Sequence, residues 1–483
     1  MAAPRCSSFL RAILLLMVVC FVNFPVQAKY SGGTGGSADP YQIATAEDLM
    51  LLGNSPDDYD KHFILTADID LDPNLPGRKV FDRAVIAPSI ALTGDWHITP
   101  FSGVFDGKDH TISNLVCHPT DQRQEHVGLF GWVDDQNAEI RNLGLIDPDA
   151  QQAGRGSKVG SLVGFLWGGT LRNCYVKSGS VTGYESVGIL VGYNNGYMIG
   201  CYSEGTVVGE LVVGGLVGTN RGHIVNAYSS SMVFGHRDVG GLAGYNAGLI
   251  MDCYSFGPVD GDENVGGLLG RTMKSGRSGG SIEINCFWDR EASDQTTSAG
   301  GKGLDTAEMQ DPNTFMQVGW DFVGASDGPN DVWAILSEGR KYPVLGWQLP
   351  IGFGLPEFSG GTGKPNDPYL ISSADEWNRI GHNPRLMGAH FKLVNDINLA
   401  EVESFVIANE YYPFAGVFDG NGHRVANFSY HSVHEDYVGI FGYVSGPNAR
   451  IEALGVTDIN IHVGSGYGIG SFVENMERPA LRL

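Results

Sequence analysis

"VGGLVGTNRGHIVNAYSSSMVFGHRD", residues 213–238, is followed directly by "VGGLAGYNAGLIMDCYSFGPVDGDEN", residues 239–264. Both stretches open with the motif V-G-x-L-x-G and align along their whole length. The motif begins at Val159, Val187, Val213, Val239 and Val265, and a shorter relative begins at Val127. A fixed period of about 26 residues indicates a stacked repeat array, because one unit is too small to bury its own apolar face.

The content of each unit predicts strands rather than helices. Short runs of Val, Ile, Leu and Tyr alternate with Gly and Asn, and no helical periodicity is present. Two or three such strands with their turns would fill one coil of a β-solenoid, and equivalent residues of successive coils would lie about 4.8 Å apart. We therefore predict an all-β fold of coils of about 26 residues.

One equivalent row consists of Asn194, Asn220 and Asn246, which follow one another at the interval of the repeat. Stacked Asn amides can hydrogen-bond to one another along an array, and Asn tolerates left-handed turns. The sequence favours an internal ladder over an exposed binding row. The first coil carries Leu166 at this position, so the ladder is incomplete.

A second row places small residues before aromatic ones. The small residues are Cys174, Cys201, Ala227, Cys253 and Cys286, and each is followed by Tyr or Phe. Alternation predicts cysteines inside and aromatics outside, although Leu171, Ile224 and Ile250 share the parity of the tyrosines. Two states stay open, namely free buried thiols, which are favoured, and a Cys174–Cys201 bridge.

The composition disfavours a nucleic-acid-binding protein and favours a β-rich one. The 483-residue chain has a formal net charge of −23 and contains 69 glycines. Nucleic-acid partners are disfavoured, because phosphates require a basic footprint. The many glycines fit a β-rich chain with frequent turns.

The N-terminus has the features of a secretory signal peptide. Arg5 and Arg11 give a positively charged start before an apolar run at 12–22, and Val26-Gln27-Ala28 has the small-residue spacing of a cleavage site. We predict removal of residues 1–28, no transmembrane segment afterwards, and a secreted or cell-surface location.

The repeats at Val213 and Val239 resemble the GLUG motif, and the resemblance is strong over 127–288. That family occurs in secreted and surface bacterial proteins, including adhesin-like proteins and segments beside the catalytic domain of immunoglobulin-A-cleaving metallopeptidases. The resemblance implies a right-handed parallel β-helix with a surface role. It implies no enzyme, because the motif carries no known catalytic residue.

A coarser duplication organises the whole chain. The segments 31–43 and 62–71 return at 359–371 and 390–399, both at the same offset. Each copy has a hydroxyl residue three positions before a carboxylate, Thr45 with Asp48 and Ser373 with Glu376, which predicts a capped helix covering the end of a solenoid. In chain order, the predicted parts are a signal peptide at 1–28, an N-terminal cap module at 29–100, a β-helix with GLUG-like repeats at 101–298, a closing segment or linker at 299–357, and a second cap with an incomplete second β-helix at 358–483.

No residue set predicts catalysis or a required cofactor. The acidic stretches 68–72 and 260–264 could hold Ca²⁺ but are better explained as a strand and a solvated loop. The G-x-S-x-G match at 276–280 lies in a Gly/Ser-rich insertion rather than a strand-to-helix turn. A polysaccharide lyase or glycoside hydrolase is the open alternative, with Asp106, Asp238, Asp252 and Asp419 as available acids.

The candidate ligand-binding residues are aromatic. Phe165, Tyr193 and Tyr245 follow the glycine motif in register, with Thr219 between the two tyrosines. Exposed aromatic rows suit sugar rings or a protein partner, whereas a purely structural row would pack against itself. We predict a non-enzymatic solenoid acting in adhesion, extracellular matrix or carbohydrate binding, with an extracellular polysaccharide or surface protein as partner.

Overall fold

The structure is a computed structural model that describes residues 29–482 apart from short gaps. The gaps are 91–98, 122–123, 153–157, 274–279, 324–331, 336–341, 350–357, 382–383, 401, 403–405, 409–412, 433–437, 447, 464–469, 471–472 and 477–480. The predicted signal peptide lies outside the described residues, and so does most of the G-x-S-x-G match. Within the described residues, no helix has both the length and the apolar character needed to cross a bilayer.

Short strands stacked in parallel make up most of the chain. The strands before the third V-G unit are β1 (Tyr41–Ile43), β2 (His62–Leu65), β3 (Ile69–Asp70), β4 (Ser89–Ile90), β5 (Val104–Asp106), β6 (Thr111–Ser113), β7 (Val116–Cys117), β8 (Gln124–Val127), β9 (Phe130–Val133), β10 (Glu139–Arg141), β11 (Gly144–Ile146), β12 (Asp149–Gln152), β13 (Lys158–Val159), β14 (Val163–Leu166), β15 (Thr170–Arg172), β16 (Tyr175–Gly188), β17 (Val191–Asn194), β18 (Tyr197–Ile199) and β19 (Tyr202–Gly214). The following strands are β20 (Val217–Asn220), β21 (His223–Ser229), β22 (Met232–Gly240), β23 (Ala243–Asn246), β24 (Leu249–Ser255), β25 (Val259–Asp260), β26 (Glu263–Gly266), β27 (Leu269–Thr272), β28 (Ile282–Ile284), β29 (Phe287–Asp289) and β30 (Lys302–Leu304).

Two antiparallel strands, β31 (Trp333–Ala334) and β32 (Val344–Leu345), lie in the predicted closing segment. The strands beyond it are β33 (Tyr369–Ile371), β34 (His390–Leu393), β35 (Ile397–Asn398), β36 (Val417–Asp419), β37 (Arg424–Ala426), β38 (Ser429–Ser432), β39 (Phe441–Val444), β40 (Arg450–Glu452), β41 (Gly455–Thr457), β42 (Asn460–Val463), β43 (Val473–Met476) and β44 (Leu481–Arg482). The α-helices are α1 (Ala46–Gly53), α2 (Arg290–Ser293), α3 (Thr306–Met309), α4 (Pro312–Met316) and α5 (Ala374–Gly381), and 3₁₀ turns cover Pro56–Asp58, Gly346–Gln348 and Pro384–Gly388.

The sequence period sets the register of the strands, because residues one repeat apart pair with each other. Val187 pairs with Val213, and Val213 pairs with Val239, so each coil advances by one repeat of the sequence. One large sheet collects most strands up to β30, and a second sheet stacks β9, β14, β17, β20, β23 and β27 in chain order. The mostly-β, solenoid-like prediction is therefore confirmed.

Close packing of the coils explains the last glycine of the motif. A Cβ atom on Gly192, Gly218 or Gly244 would lie 2.4–2.5 Å from the backbone nitrogen of the first Val in the preceding coil. Real Cβ atoms do not approach backbone atoms this closely, so only glycine fits. The last glycine of the motif is therefore required for the close contact between the backbones of neighbouring coils.

Left-handed corner residues resolve the orientation of the cysteines. Asn173 and Asn226 have φ near +50°, as does Asp252, and each directly precedes the small residue of its coil. Such a corner interrupts strand alternation, so Leu171 and Cys174 both reach the core despite opposite parity. The cysteines among the described residues are buried and free, in agreement with the favoured prediction.

The Asn ladder, Asn194, Asn220 and Asn246, is internal as predicted. Each amide Nδ2 donates to Oδ1 of the next Asn at 2.8 Å, and all three side chains are fully buried. The last amide donates to Glu283 at 2.7 Å. Leu166 pairs with Asn194 at the start, as the sequence indicated.

The Tyr column consists of Tyr175, Tyr202, Tyr228 and Tyr254, whose rings stack at 5.0–5.2 Å. It faces away from the cysteines, but the residues after β30 cover it. Trp320, Trp333 and Trp347 pack against these rings in one buried cluster. The Tyr column therefore supports the fold and is not an open binding surface.

The duplicated segments form equivalent structures. Tyr41 pairs with Phe63 in the first copy, and Tyr369 pairs with Phe391 in the same arrangement in the second. Helix α1 has the predicted reciprocal capping box between Thr45 and Asp48. Two apolar cores result, one for each copy, and the second includes Trp377, Phe391 and Phe418.

Replacing Asp252 by Asn is expected to stabilise the chain at neutral pH. Burial raises the pKa of this carboxyl to about 6, whereas Asn226 and Asn285 occupy the same corner in neighbouring coils. A raised carboxyl pKa gives stability that is present below about pH 4 and is lost as the pH rises through about 6. We expect Asp252→Asn to gain about 1–2 kcal/mol at pH 7 and nothing at pH 3.5. Urea unfolding at both pH values checks this, and an equal gain at both would contradict it.

Candidate functional site

Half-exposed aromatic side chains form a row on the second sheet. We call Trp132, Phe165, Tyr193 and Tyr245 the aromatic row. Phe165 pairs with Trp132 on one side and Tyr193 on the other, and Thr219 lies between Tyr193 and Tyr245. Each member keeps a partly exposed side chain, whereas in the Tyr column only Tyr175 does. The structure thus brings the predicted residues Phe165, Tyr193 and Tyr245 onto one face.

The row packs along the direction in which the coils stack. The ring centroids of Trp132 and Phe165 lie 5.9 Å apart, and those of Phe165 and Tyr193 lie 5.1 Å apart. Trp167, which is 47% exposed, adds its ring 5.5 Å from Phe165. Aromatic surfaces at these separations form a continuous apolar strip.

The buried side of the same strands fixes the row in place. Tyr193 and Tyr245 are each followed by a residue of the Asn ladder, which is hydrogen-bonded in the core. Partial burial raises the pKa of the Tyr193 phenol. The Tyr193 phenol therefore stays neutral, and both tyrosines stand on a rigid support.

His126 lies beneath one end of the row. Its ring centroid is 4.8 Å from that of Phe165 and 6.1 Å from that of Trp132. Burial, assisted by the charge of Lys158, lowers the pKa of His126 to about 3. The imidazole is consequently neutral at physiological pH and acts as a further flat surface under Phe165.

Thr219 interrupts the aromatic row with a small, non-aromatic side chain. Its hydroxyl lies 2.9 Å from the hydroxyl of Ser186, and the side chain is buried. Tyr193 and Tyr245 lie one coil to either side, about 10 Å apart at the usual strand spacing. Thr219 therefore separates the two phenol rings, and its own hydroxyl is used inside the protein by Ser186.

Cations accompany the rings. The guanidinium of Arg271 lies 4.6 Å from the centroid of Tyr245, and the ammonium of Lys158 lies 5.8 Å from that of Phe165. The charge of Arg221 acts on the Tyr193 phenol, and Arg221 itself is exposed. Cationic side chains therefore lie along the row beside its aromatic rings.

The acids considered for catalysis occupy separate places. Asp106 pairs with Arg141 at 3.0 Å and Lys108 at 3.1 Å. Burial alone would raise the pKa of the Asp106 carboxyl, but these two cations bring that pKa down to about 2. Asp238 pairs with Arg271 at 2.9 Å. Asp252 accepts from Asn285, and Asp419 pairs with Lys392, so each carboxylate has its own cationic or amide partner.

The Asp106 network lies in a cleft of about 520 Å³ between the two copies. Arg141 bridges Asp106 and Glu139, and Arg172 binds Glu139 at 3.1 Å. Both carboxylates of the network are thus paired with cations. The cleft was not predicted from sequence, because its second wall comes from the distant second copy, namely residues 387–389, 413, 415, 445, 446 and 448.

The acidic stretches considered for Ca²⁺ have local roles. Asp68 accepts from the Thr111 backbone nitrogen at 2.8 Å, and Asp70 accepts from Asn114 at 2.8 Å. Asp262 pairs with His236. Within the described parts of the chain, no three metal-binding side chains converge.

Sequence reasoning missed two members of this face. Arg271 is the seventh residue of the unit that begins at Val265, the position held by Phe165, Tyr193 and Tyr245 in their own units. Trp132 was hidden because the unit at Val127 is one residue shorter before its glycine. Aligning the units on their last glycine finds both residues.

Comparisons with known proteins give partial likenesses. No family model matches the chain. A stretch of 171 residues is 35% identical to Halomucin of Haloquadratum walsbyi, which is 35% of this chain and 2% of that protein. Another of 106 residues is 32% identical to a provisionally named Gly-rich membrane protein of Evansella cellulosilytica, covering 21% of this chain and 12% of the relative. The chain thus spans a small part of either relative.

One solved structure is similar over a longer range. It is a Bacteroides ovatus protein provisionally named an immunoglobulin A1 protease, 20% identical, with a TM-score of 0.44. The likeness covers 66% of this chain and 95% of that one. No activity follows from a similarity of this size.

Proposed function

We propose that the chain is an extracellular, non-enzymatic solenoid that binds carbohydrate through the aromatic row. The observation that carries this proposal is the contrast between two stacked aromatic sets. The Tyr column is covered by Trp320, Trp333 and Trp347, whereas Phe165, Tyr193 and Tyr245 keep half-exposed rings. Saccharide rings present apolar faces that pack on such rings and hydroxyls that bind at a polar base.

The finer description of the fold belongs to the same proposal. We take the coils to be GLUG-like units of a right-handed parallel β-helix, with α1 as a cap over its first coil. The burial of Leu49 and Leu52 in the main core supports a capping role for α1. The sequence of residues 1–28 and the membrane-protein name of the Evansella relative support export and a surface location.

A binding assay with the full chain tests the carbohydrate proposal. Immobilised galactan, xylan, dextran and polygalacturonate are the probes, and at least one is expected to retain the chain. Tyr193→Ala and Tyr245→Ala should each weaken that binding about 5- to 10-fold, because each removes a stacked ring worth about 1 kcal/mol. Tyr197→Ala is the matched control, because Tyr197 is 46% exposed on the other sheet, against His223.

The outcomes separate adhesion from catalysis. Equal losses for all three tyrosine variants would contradict a role specific to the aromatic row. Shortened or unsaturated sugars recovered from any probe would favour the lyase or hydrolase alternative and direct attention to Asp106 and Glu139. Failure to bind any probe would contradict the carbohydrate proposal.

A further inference from the structure

We infer that the aromatic row binds acidic polysaccharides, meaning glycans with carboxylate or sulfate groups, in preference to neutral ones. This inference rests on the proposed carbohydrate-binding function and adds the class of ligand. It is carried by the cations that lie beside the rings of the row: Lys158, Arg221 and Arg271.

The cations are unusual for this chain. The sequence contains 54 acidic and 31 basic residues, so a typical exposed strip should be acidic. Along the row, Lys158 lies beside Phe165, and Arg271 occupies the row position next to Tyr245. Arg221 lies next to the strand of Tyr193, because its backbone nitrogen donates to the carbonyl of the following residue, Asn194, at 2.7 Å. Exposed cations beside aromatic rings in an otherwise acidic molecule indicate a ligand of negative charge.

Arg221 and Arg271 differ in whether their charge is already paired with a carboxylate of the protein. Arg221 is exposed and forms no ion pair within the residues that the structure describes. Arg271 uses its Nε for the buried carboxylate of Asp238 at 2.9 Å, and its side chain is 52% exposed. Asn264 also donates to Asp238, at 2.7 Å, so that carboxylate is shared between two partners. The terminal nitrogens of both guanidinium groups are therefore the donors that a ligand would meet.

A guanidinium group and a phenol ring can bind different parts of the same acidic sugar. A guanidinium donates paired hydrogen bonds to a carboxylate or sulfate group, and these charge-assisted bonds are stronger than neutral ones. The adjacent phenol ring packs against the apolar face of the same sugar. Tyr193 with Arg221 and Tyr245 with Arg271 give two such combinations, two coils apart, on either side of Thr219. A chain of acidic sugars lying along the stacking direction would meet both.

Single-stranded nucleic acid also stacks on aromatic rings beside cations. The net charge of −23 works against it, because a polyphosphate is repelled at long range by the rest of the molecule. A glycan with fewer charges per unit length is repelled less. We therefore favour the acidic glycan and treat single-stranded DNA as a comparison ligand.

The experiment uses the full chain and two pairs of probes that differ only in charge. The first pair is polygalacturonate and its fully methyl-esterified form, and the second is dextran sulfate and dextran. At low salt we expect at least one acidic probe to bind 10-fold or more tighter than its neutral partner. The first pair tests a carboxylate and the second a sulfate, so the result identifies the acidic group.

Two variants connect the preference to the row. Arg221→Gln should weaken acidic binding about 3- to 10-fold and weaken neutral binding by a smaller factor, because it removes charge from a side chain that has no ion-pair partner among the described residues. Arg271→Lys keeps the charge opposite Asp238 and should weaken acidic binding about 3-fold by losing the paired donors. Lys302→Gln is the control, because Lys302 is an exposed cation on β30, paired with Phe287. Circular dichroism confirms that each variant is folded.

Failure of this inference is distinguishable from failure of the proposed function. Equal affinity for charged and neutral probes would overturn the acidic preference and leave carbohydrate binding intact. Binding to none of the four probes would remove the proposed function itself. Equal losses for Arg221→Gln and Lys302→Gln, or tighter binding of single-stranded DNA than of both acidic glycans, would also overturn the inference.

Discussion

Replacing Gly218 by alanine is expected to destabilise the chain by about 3 kcal/mol or more. The new Cβ would lie 2.4 Å from the backbone nitrogen of Val187 and 2.4 Å from the carbonyl carbon of Ser186. Both atoms belong to the main chain of the preceding coil, so no rotamer change can relieve the contact. The coils would have to separate, which breaks the parallel hydrogen bonds between β17 and β20. Urea unfolding of the full chain measures the loss.

Gly36→Ala is the control for that substitution. A Cβ on Gly36 would meet no atom within 4 Å, so the same chemical change should alter the free energy of unfolding by less than about 0.5 kcal/mol. A Gly218→Ala variant as stable as Gly36→Ala would show that the coils are not packed backbone to backbone. It would therefore contradict the account of the glycine motif.

Replacing Asn220 by alanine is expected to cost about 2–4 kcal/mol. Asn220 is the middle member of the Asn ladder, accepting from Asn194 and donating to Asn246, each at 2.8 Å. Its loss leaves the buried Nδ2 donor of Asn194 with only a long contact of 3.4 Å to the His223 carbonyl, which does not replace the lost bond. On the other side, Oδ1 of Asn246 loses one donor and keeps the Gly248 nitrogen at 3.1 Å.

The control for the ladder is its neighbour in sequence. Asn195 donates to the Trp167 carbonyl at 2.9 Å from an exposed position, where water can replace the lost partner. Asn195→Ala should therefore cost less than about 1 kcal/mol. If Asn195→Ala and Asn220→Ala were equally destabilising in thermal unfolding, the ladder would contribute nothing beyond an ordinary surface hydrogen bond.

The repeat made the stacked coils and their register predictable from sequence. Residues that recur at the interval of the repeat must occupy equivalent places if the coils stack, and Asn194, Asn220 and Asn246 do so. The inward direction of the cysteines was less certain, because simple alternation places Leu171 on the opposite face from Cys174. The left-handed corner at Asn173 removes that conflict.

Contacts between distant segments could not be predicted in this way. The Tyr column is as regular in sequence as the aromatic row, yet Trp347 reaches it from far along the chain and donates to the Gly200 carbonyl at 2.9 Å. No periodic signal marks a segment that covers a repeat from outside. The candidate site was found because Phe165, Tyr193 and Tyr245 are periodic, and Arg271 was missed because it carries charge where an aromatic residue was expected.

The constant step from coil to coil also determines how such a chain can change over generations. Recombination between the nearly matching stretches 213–238 and 239–264 removes or adds one whole coil and leaves every other coil in register. Loss of 213–238 would delete Thr219 and make Tyr193 and Tyr245 immediate neighbours. The spacing of the row can thus change in steps of one coil, and a lineage can alter its binding surface without substituting a residue in the coils that remain.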